Sequence, residues 1–98
     1  MAESIKSIIK GFLVTLEKER GYSKLTINAY RNDLNRFNDF LKEYHGQDNM
    51  DLGVIDRQTI RHFLGREYEK EYSPKTVARR LASVKSFFRY LIKAEVIE

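Results

Sequence analysis

Between Ser73 and Lys93 the chain places six cations, Lys75, Arg79, Arg80, Lys85, Arg89 and Lys93, and no acid. The hydroxyls of Thr76, Ser83, Ser86 and Tyr90 are interleaved with them. Cations and neutral donors with no competing carboxylate suit a polyanion, because they neutralise phosphates and hydrogen-bond to their oxygens. On a wheel of about 100° per residue, Lys75, Arg79, Ser83, Ser86, Tyr90 and Lys93 lie opposite an apolar stripe of Val77, Leu81, Val84, Phe88, Leu91 and Ile92. Lys85 and Arg89 sit on one shoulder of that face, Thr76 and Arg80 on the other.

No other stretch carries a chemical constellation. His45 and His62 lack the HExxH spacing or any comparable metal-ligand pattern. Asp48, Asn49 and Asp51 in the 45–55 loop lack the EF-hand spacing and its terminal Glu. A Gly-rich phosphate loop and a G-x-S-x-G elbow are both absent from the sequence. Packing or surface placement accounts for Tyr30, Tyr44, Tyr68 and Tyr90, while Tyr22 and Tyr72 precede helix caps, where an aromatic can act as a staple. No metal, no cofactor and no catalytic residue is expected in this chain.

The elements that position the basic face are all helical. Ser73 as cap and Pro74 at the first helical position start a helix over about 74–94. Ile5, Ile8, Ile9, Phe12, Leu13 and Leu16 predict a first helix over 4–20, closed by Gly21. Ser23 caps a second over 23–44, whose seam is Ile27, Tyr30, Leu34, Phe37, Leu41 and Tyr44. One flank of that helix shows Lys24, Asn28, Arg31, Asn35 and Lys42. With Asn38, these asparagines are poor helix formers that can donate and accept toward bases or phosphates. Asp56 caps a third helix over 56–70, with Ile60, Phe63 and Leu64 inward and its charges balanced, so its work is packing. Leu52 and Ile55 are expected to pin the preceding loop to the core.

At 98 residues the chain has room for one domain with a single core. Its 33% charged and 42% hydrophobic composition is globular. The absence of cysteine and of a signal-peptide pattern points to an intracellular, cytoplasmic chain, and no apolar run reaches the roughly 20 residues of a membrane span. The net charge of +4 is modest, but residues 56–72 balance four bases against four acids while residues 73–98 hold six bases and two acids. A local excess of this kind is the footprint of a nucleic-acid partner.

A shift of fifty residues lays the second helix on the fourth without a gap. Tyr22-Ser23 meets Tyr72-Ser73, Thr26-Ile27 meets Thr76-Val77, Leu34 meets Val84, Phe37 meets Phe87 and Leu41 meets Leu91. Two helical hairpins related by a pseudo-twofold would form an orthogonal four-helix bundle and present both long-helix N-termini equivalently. Free N–H groups and the helix dipole suit such ends to phosphates.

The run Tyr22-Ser23-x-x-Thr26-x-x-x-Tyr30-x-x-Asp33-Leu34-x-x-Phe37-x-x-Phe40-Leu41 resembles the second helix of the N-terminal core-binding domain of tyrosine recombinases, the phage-integrase and Xer-type group. Ser73-x-Lys75-Thr76-x-x-Arg79-x-Leu81-Ala82-x-Val84-x-x-Phe87-Phe88-x-Tyr90-Leu91 is similar to its fourth. The resemblance covers almost the whole chain. It implies an all-α, SAM-like fold forming half of a clamp around double-stranded DNA, with the second and fourth helices in the major groove. It further implies a separate C-terminal catalytic domain, absent here, that carries the nucleophilic tyrosine, and other recombinase protomers in a synaptic tetramer. The isolated domain would be a monomer. The family's DNA-facing positions fall on Lys24, Thr26, Asn28, Arg31, Lys75, Thr76, Arg79, Arg80 and Ser83, with Arg80 also suited to packing its stem and snorkelling. The alternative from another class is a helical protein–protein interaction module using the first helix or the 46–55 loop. A helix-turn-helix repressor would need a shorter recognition helix.

Overall fold

In the computed structural model, residues 5–45 and 55–94 are described. They contain four α-helices: α1 (Ile5–Lys18), α2 (Lys24–His45), α3 (Arg57–Glu69) and α4 (Pro74–Lys93). No strand occurs among the described residues, and the all-α class holds. The expectations for Leu52, for Asp48, Asn49 and Asp51, and for residues 95–98 lie outside them. The chain divides into two compact units, residues 1–50 and 51–98. Each contains one packed helical pair, α1 against α2 and α3 against α4.

In the first unit, every residue of the α1 stripe is buried: Ile5, Ile8, Ile9, Phe12, Leu13 and Leu16. Gly21 adopts φ 65°, and the Tyr22 N–H donates to the Leu16 carbonyl at 3.1 Å, which satisfies one of the orphan groups at the helix end. From α2, the seam residues Ile27, Leu34, Phe37 and Leu41 are buried and Tyr30 is half-buried, while Phe40, outside that seam, is buried as well. Tyr44, at the end of that seam, is instead exposed. Asn38 is buried rather than displayed, and its Oδ1 has no hydrogen-bond partner.

In the second unit, Asp56 caps α3 as expected. Its carboxylate accepts from the Thr59 N–H at 2.9 Å and from the Thr59 hydroxyl at 3.0 Å. Those two bonds, the backbone one foremost, hold the Asp56 pKa below the ordinary carboxylate value. A depressed folded-state pKa contributes stability above the unfolded pKa, and that stability is lost as pH falls through the folded value. Asp56→Asn keeps an acceptor oxygen and loses the charge. Urea midpoints of this variant should therefore fall less than wild type between about pH 5 and pH 3.

Position 71 repeats the backbone of Gly21. Glu71 adopts φ 60°, and its N–H donates to the Tyr68 carbonyl at 3.0 Å. Glycine adopts this conformation at little cost, whereas an L side chain is strained in it. Glu71→Gly should raise stability by about 0.5–1 kcal/mol, the strain removed less the chain entropy that glycine adds to the unfolded state. An unchanged or lower urea midpoint would contradict this.

The buried arc of α4 differs from the predicted stripe. Val77, Ser83, Val84, Phe87 and Leu91 are buried, Leu81 and Phe88 are half-buried, and Ile92 is 54% exposed. The arc is rotated by about 60° on a wheel of 3.6 residues per turn. Its centre holds Arg80, which α3 receives with a buried carboxylate. The Arg80 Nη1 donates to Glu67 Oε2 at 2.8 Å, with the two side chains 13% and 1% exposed.

Candidate nucleic-acid interface

The two long helices begin in the same way. In α2 the Ser23 hydroxyl accepts from the Thr26 N–H at 3.2 Å and donates to Thr26 Oγ1 at 3.1 Å. In α4 the Ser73 hydroxyl accepts from the Thr76 N–H at 3.2 Å and donates to Thr76 Oγ1 at 3.0 Å. Each cap fills one orphan donor and leaves the threonine's own hydroxyl proton to donate elsewhere. The burial pattern repeats as well. Ile27, Asp33, Leu34, Phe37 and Leu41 are buried in α2, and the residues fifty positions on, Val77, Ser83, Val84, Phe87 and Leu91, are buried in α4.

On the first turns of α2, Lys24, Thr26, Asn28 and Arg31 are all exposed. The Arg31 guanidinium donates to the Asn28 Oδ1, so these two present a joined donor surface. Leu25, between Lys24 and Thr26, is exposed too. On α4, Lys75 and Arg79 are exposed and Thr76 is half-buried.

The remaining two candidates turn inward. Ser83, which the hydropathy wheel sets on the outer face, is only 5% exposed. Arg80 pairs with Glu67, and its guanidinium carbon stands 4.2 Å from the centre of the Tyr72 ring. The rotation of the buried arc explains both. It brings Lys85 and Arg89 from the shoulder to the outward face, where they join Lys75, Arg79 and Lys93, all exposed. Ala78 and Ala82 are exposed among them, so no bulky side chain holds a partner away. The five cations run along about 27 Å of helix at 1.5 Å per residue. The signal for Lys85 and Arg89 was the repeat itself, since the arc of α2 predicts the arc of α4 better than the hydropathy of α4 does.

The first unit also carries a groove of about 300 Å³ between α1 and α2. Ile9, Leu13, Val14 and Ile27 line it together with the polar Lys6, Lys10, Glu17, Arg31 and Asn35. Among the described residues there is no cluster of three or more His, Cys, Asp or Glu side chains that could hold a metal ion. No helix among them is long and apolar enough to cross a membrane.

The family model described as "Phage integrase, N-terminal SAM-like domain" matches residues 9–95. "Tyrosine recombinase XerC" of Chlorobaculum tepidum is 39% identical over 90 residues, which is 89% of this chain and 27% of that protein. "Tyrosine recombinase XerD" of Staphylococcus aureus is 34% identical over 89 residues, 91% of this chain and 29% of that protein. The chain thus spans between a quarter and a third of the length of these relatives. No solved structure matches it. By the extent of the family match and the identity to these relatives, the chain belongs to the phage integrase N-terminal SAM-like domain family.

Proposed function

We propose that this chain is the DNA-binding N-terminal domain of a site-specific tyrosine recombinase, gripping duplex DNA near the strand-exchange site with α2 and α4. The observation that carries the reading is the outward face of α4, where Lys75, Arg79, Lys85, Arg89 and Lys93 are exposed on a helix whose own sequence contains no acid. The matching caps of α2 and α4 support it, because they equip both helices with the same hydroxyl-lined N-terminus. Lys24, Thr26, Asn28 and Arg31 form the α2 part of the contact, and Lys75, Thr76 and Arg79 the α4 part. Lys85 and Arg89 extend the latter along the phosphates.

In this reading the domain grips and does not cleave. Strand breakage and rejoining belong to a separate catalytic domain of a longer protein, which acts with other protomers in a synaptic tetramer on DNA in the cytoplasm. Phosphate contacts set position and base contacts set sequence, so a face built mostly of cations predicts weak, sequence-tolerant binding by the domain alone.

A fluorescence-anisotropy titration of a labelled short duplex tests this. With about six phosphates neutralised, the slope of log K against log salt should be near −5, at roughly −0.9 per phosphate. A flat salt response would overturn the proposal. The second reading, a protein-interaction module, is favoured by the groove between α1 and α2, with its apolar floor and polar rim. Chemical-shift mapping separates the two. Shifts at Lys75, Arg79 and Arg89 on adding duplex support the DNA face, whereas shifts confined to Ile9, Leu13 and Val14 on adding a partner protein support the module.

A further inference from the structure

Three parts of the second unit meet at one guanidinium. Glu67 comes from the last turns of α3, Tyr72 from the connection, and Arg80 from the second turn of α4. Arg80 donates from Nη1 to the Glu67 carboxylate at 2.8 Å and lays its face on the Tyr72 ring at 4.2 Å, with its Nε buried and without a hydrogen-bond partner. A planar, permanently charged fork can do both at once with its face on the ring and a donor in its plane, a geometry that an ammonium does not fix. Tyr72 immediately precedes Ser73, whose hydroxyl fixes the Thr76 N–H. The pair thus holds the connection from which the first two turns of α4 project Lys75, Thr76 and Arg79.

The first unit has the same device in a different chemistry. Tyr30, fifty positions before Arg80, sets its ring 6.1 Å from that of Tyr22 and 5.9 Å from that of Phe12. In both hairpins the residue eight positions on holds the aromatic that precedes the cap. A tyrosine fills the place once and an arginine once, which marks the place as a support and not as a phosphate contact.

We propose that Arg80 is a positioning residue: clamped between Glu67 and Tyr72, it orients the first turn of α4 for DNA and does not itself touch the phosphates. The inference rests on the reading of α4 as a DNA-binding face. Its test has one arm that needs no DNA.

In the 98-residue chain, Glu67→Leu with Arg80→Met replaces the buried ion pair by apolar side chains of similar volume. Amide hydrogen exchange at Thr76 should then quicken about fivefold, the equivalent of freeing about one residue of backbone. Exchange at Thr26, in the equivalent cap of the first unit, should not change. Duplex affinity should fall by a similar factor with the log–log salt slope unchanged, while Arg79→Gln should make the slope shallower by about 0.9. Arg80→Lys keeps the charge without the fork and should reproduce the faster Thr76 exchange, which covers failure of the double variant to fold. If the double variant lost as much slope as Arg79→Gln, Arg80 would be a phosphate contact and the proposal would fail. Unchanged exchange at Thr76 would also overturn it. If no form of the chain bound duplex, the DNA reading would fall, and the comparison of Thr76 with Thr26 would still decide the clamp.

Discussion

Reversing two charges on the outward face of α4, Lys75→Glu with Arg79→Glu, is expected to weaken duplex binding by about 60-fold at roughly 0.1 M salt. The size follows from counterion release. At a slope near −0.9 per phosphate, one contact contributes a factor of about eight between 1 M and 0.1 M salt, and two contacts are lost. Each new carboxylate adds repulsion, so the figure is a lower bound. The salt slope itself should become shallower by about 2. Both side chains are exposed, and the Ser73 cap does not depend on them, so urea midpoints should stay close to wild type. The control is Lys6→Glu with Lys10→Glu, which changes net charge equally on exposed positions of α1. Were net charge alone responsible, the two pairs would behave alike. A contact local to α4 predicts a smaller effect from the α1 pair.

Helix existence followed directly from local chemistry. Ser23, Asp56 and Ser73 each cap the helix that their side chains announce, and Pro74 sits where its missing N–H costs nothing. The stripe of α1 was complete in the hydropathy, because every buried position there is apolar. On α4 the hydropathy misleads. Arg80 and Ser83 occupy the buried side while Ile92 is exposed, so apolar residues do not mark the arc. A wheel of one helix cannot see the reason, which lies on another helix. Burying a guanidinium is tolerable only where a carboxylate meets it. Glu67 had a sign of its own, since Thr59, Phe63 and Glu67 step by four along the inner side of α3 and all are buried. Asn38 has no such account. It is buried with an unsatisfied Oδ1, and nothing in the sequence around it explains why an asparagine stands there.

The largest loss of stability is expected from Arg80→Ala. Glu67, 1% exposed, would lose its guanidinium partner while staying buried. Removing one member of a buried ion pair typically costs about 3–5 kcal/mol. That is a large part of the roughly 5–15 kcal/mol holding a domain of this size together. Loss of the Tyr72 contact adds to the cost. Glu67→Gln should cost less, because Arg80 is 13% exposed and its long stem can carry the charge toward water. The double variant Glu67→Leu with Arg80→Met should return to within about 1 kcal/mol of wild type, as apolar replacements of buried ion pairs commonly do. The double variant therefore discriminates between accounts. Independent contributions would add, making it worse than either single change, whereas a buried pair makes it better than Arg80→Ala. Urea midpoints for the three variants give the order, and an Arg80→Ala protein less than 1 kcal/mol below wild type would mean that the Glu67 carboxylate reaches other support. The same comparison in the first unit carries no charge. Tyr30→Ala removes ring packing on Phe12 and Tyr22 alone, so no partner substitution should rescue it, and the two hairpins, alike in backbone and caps, should fail for different physical reasons.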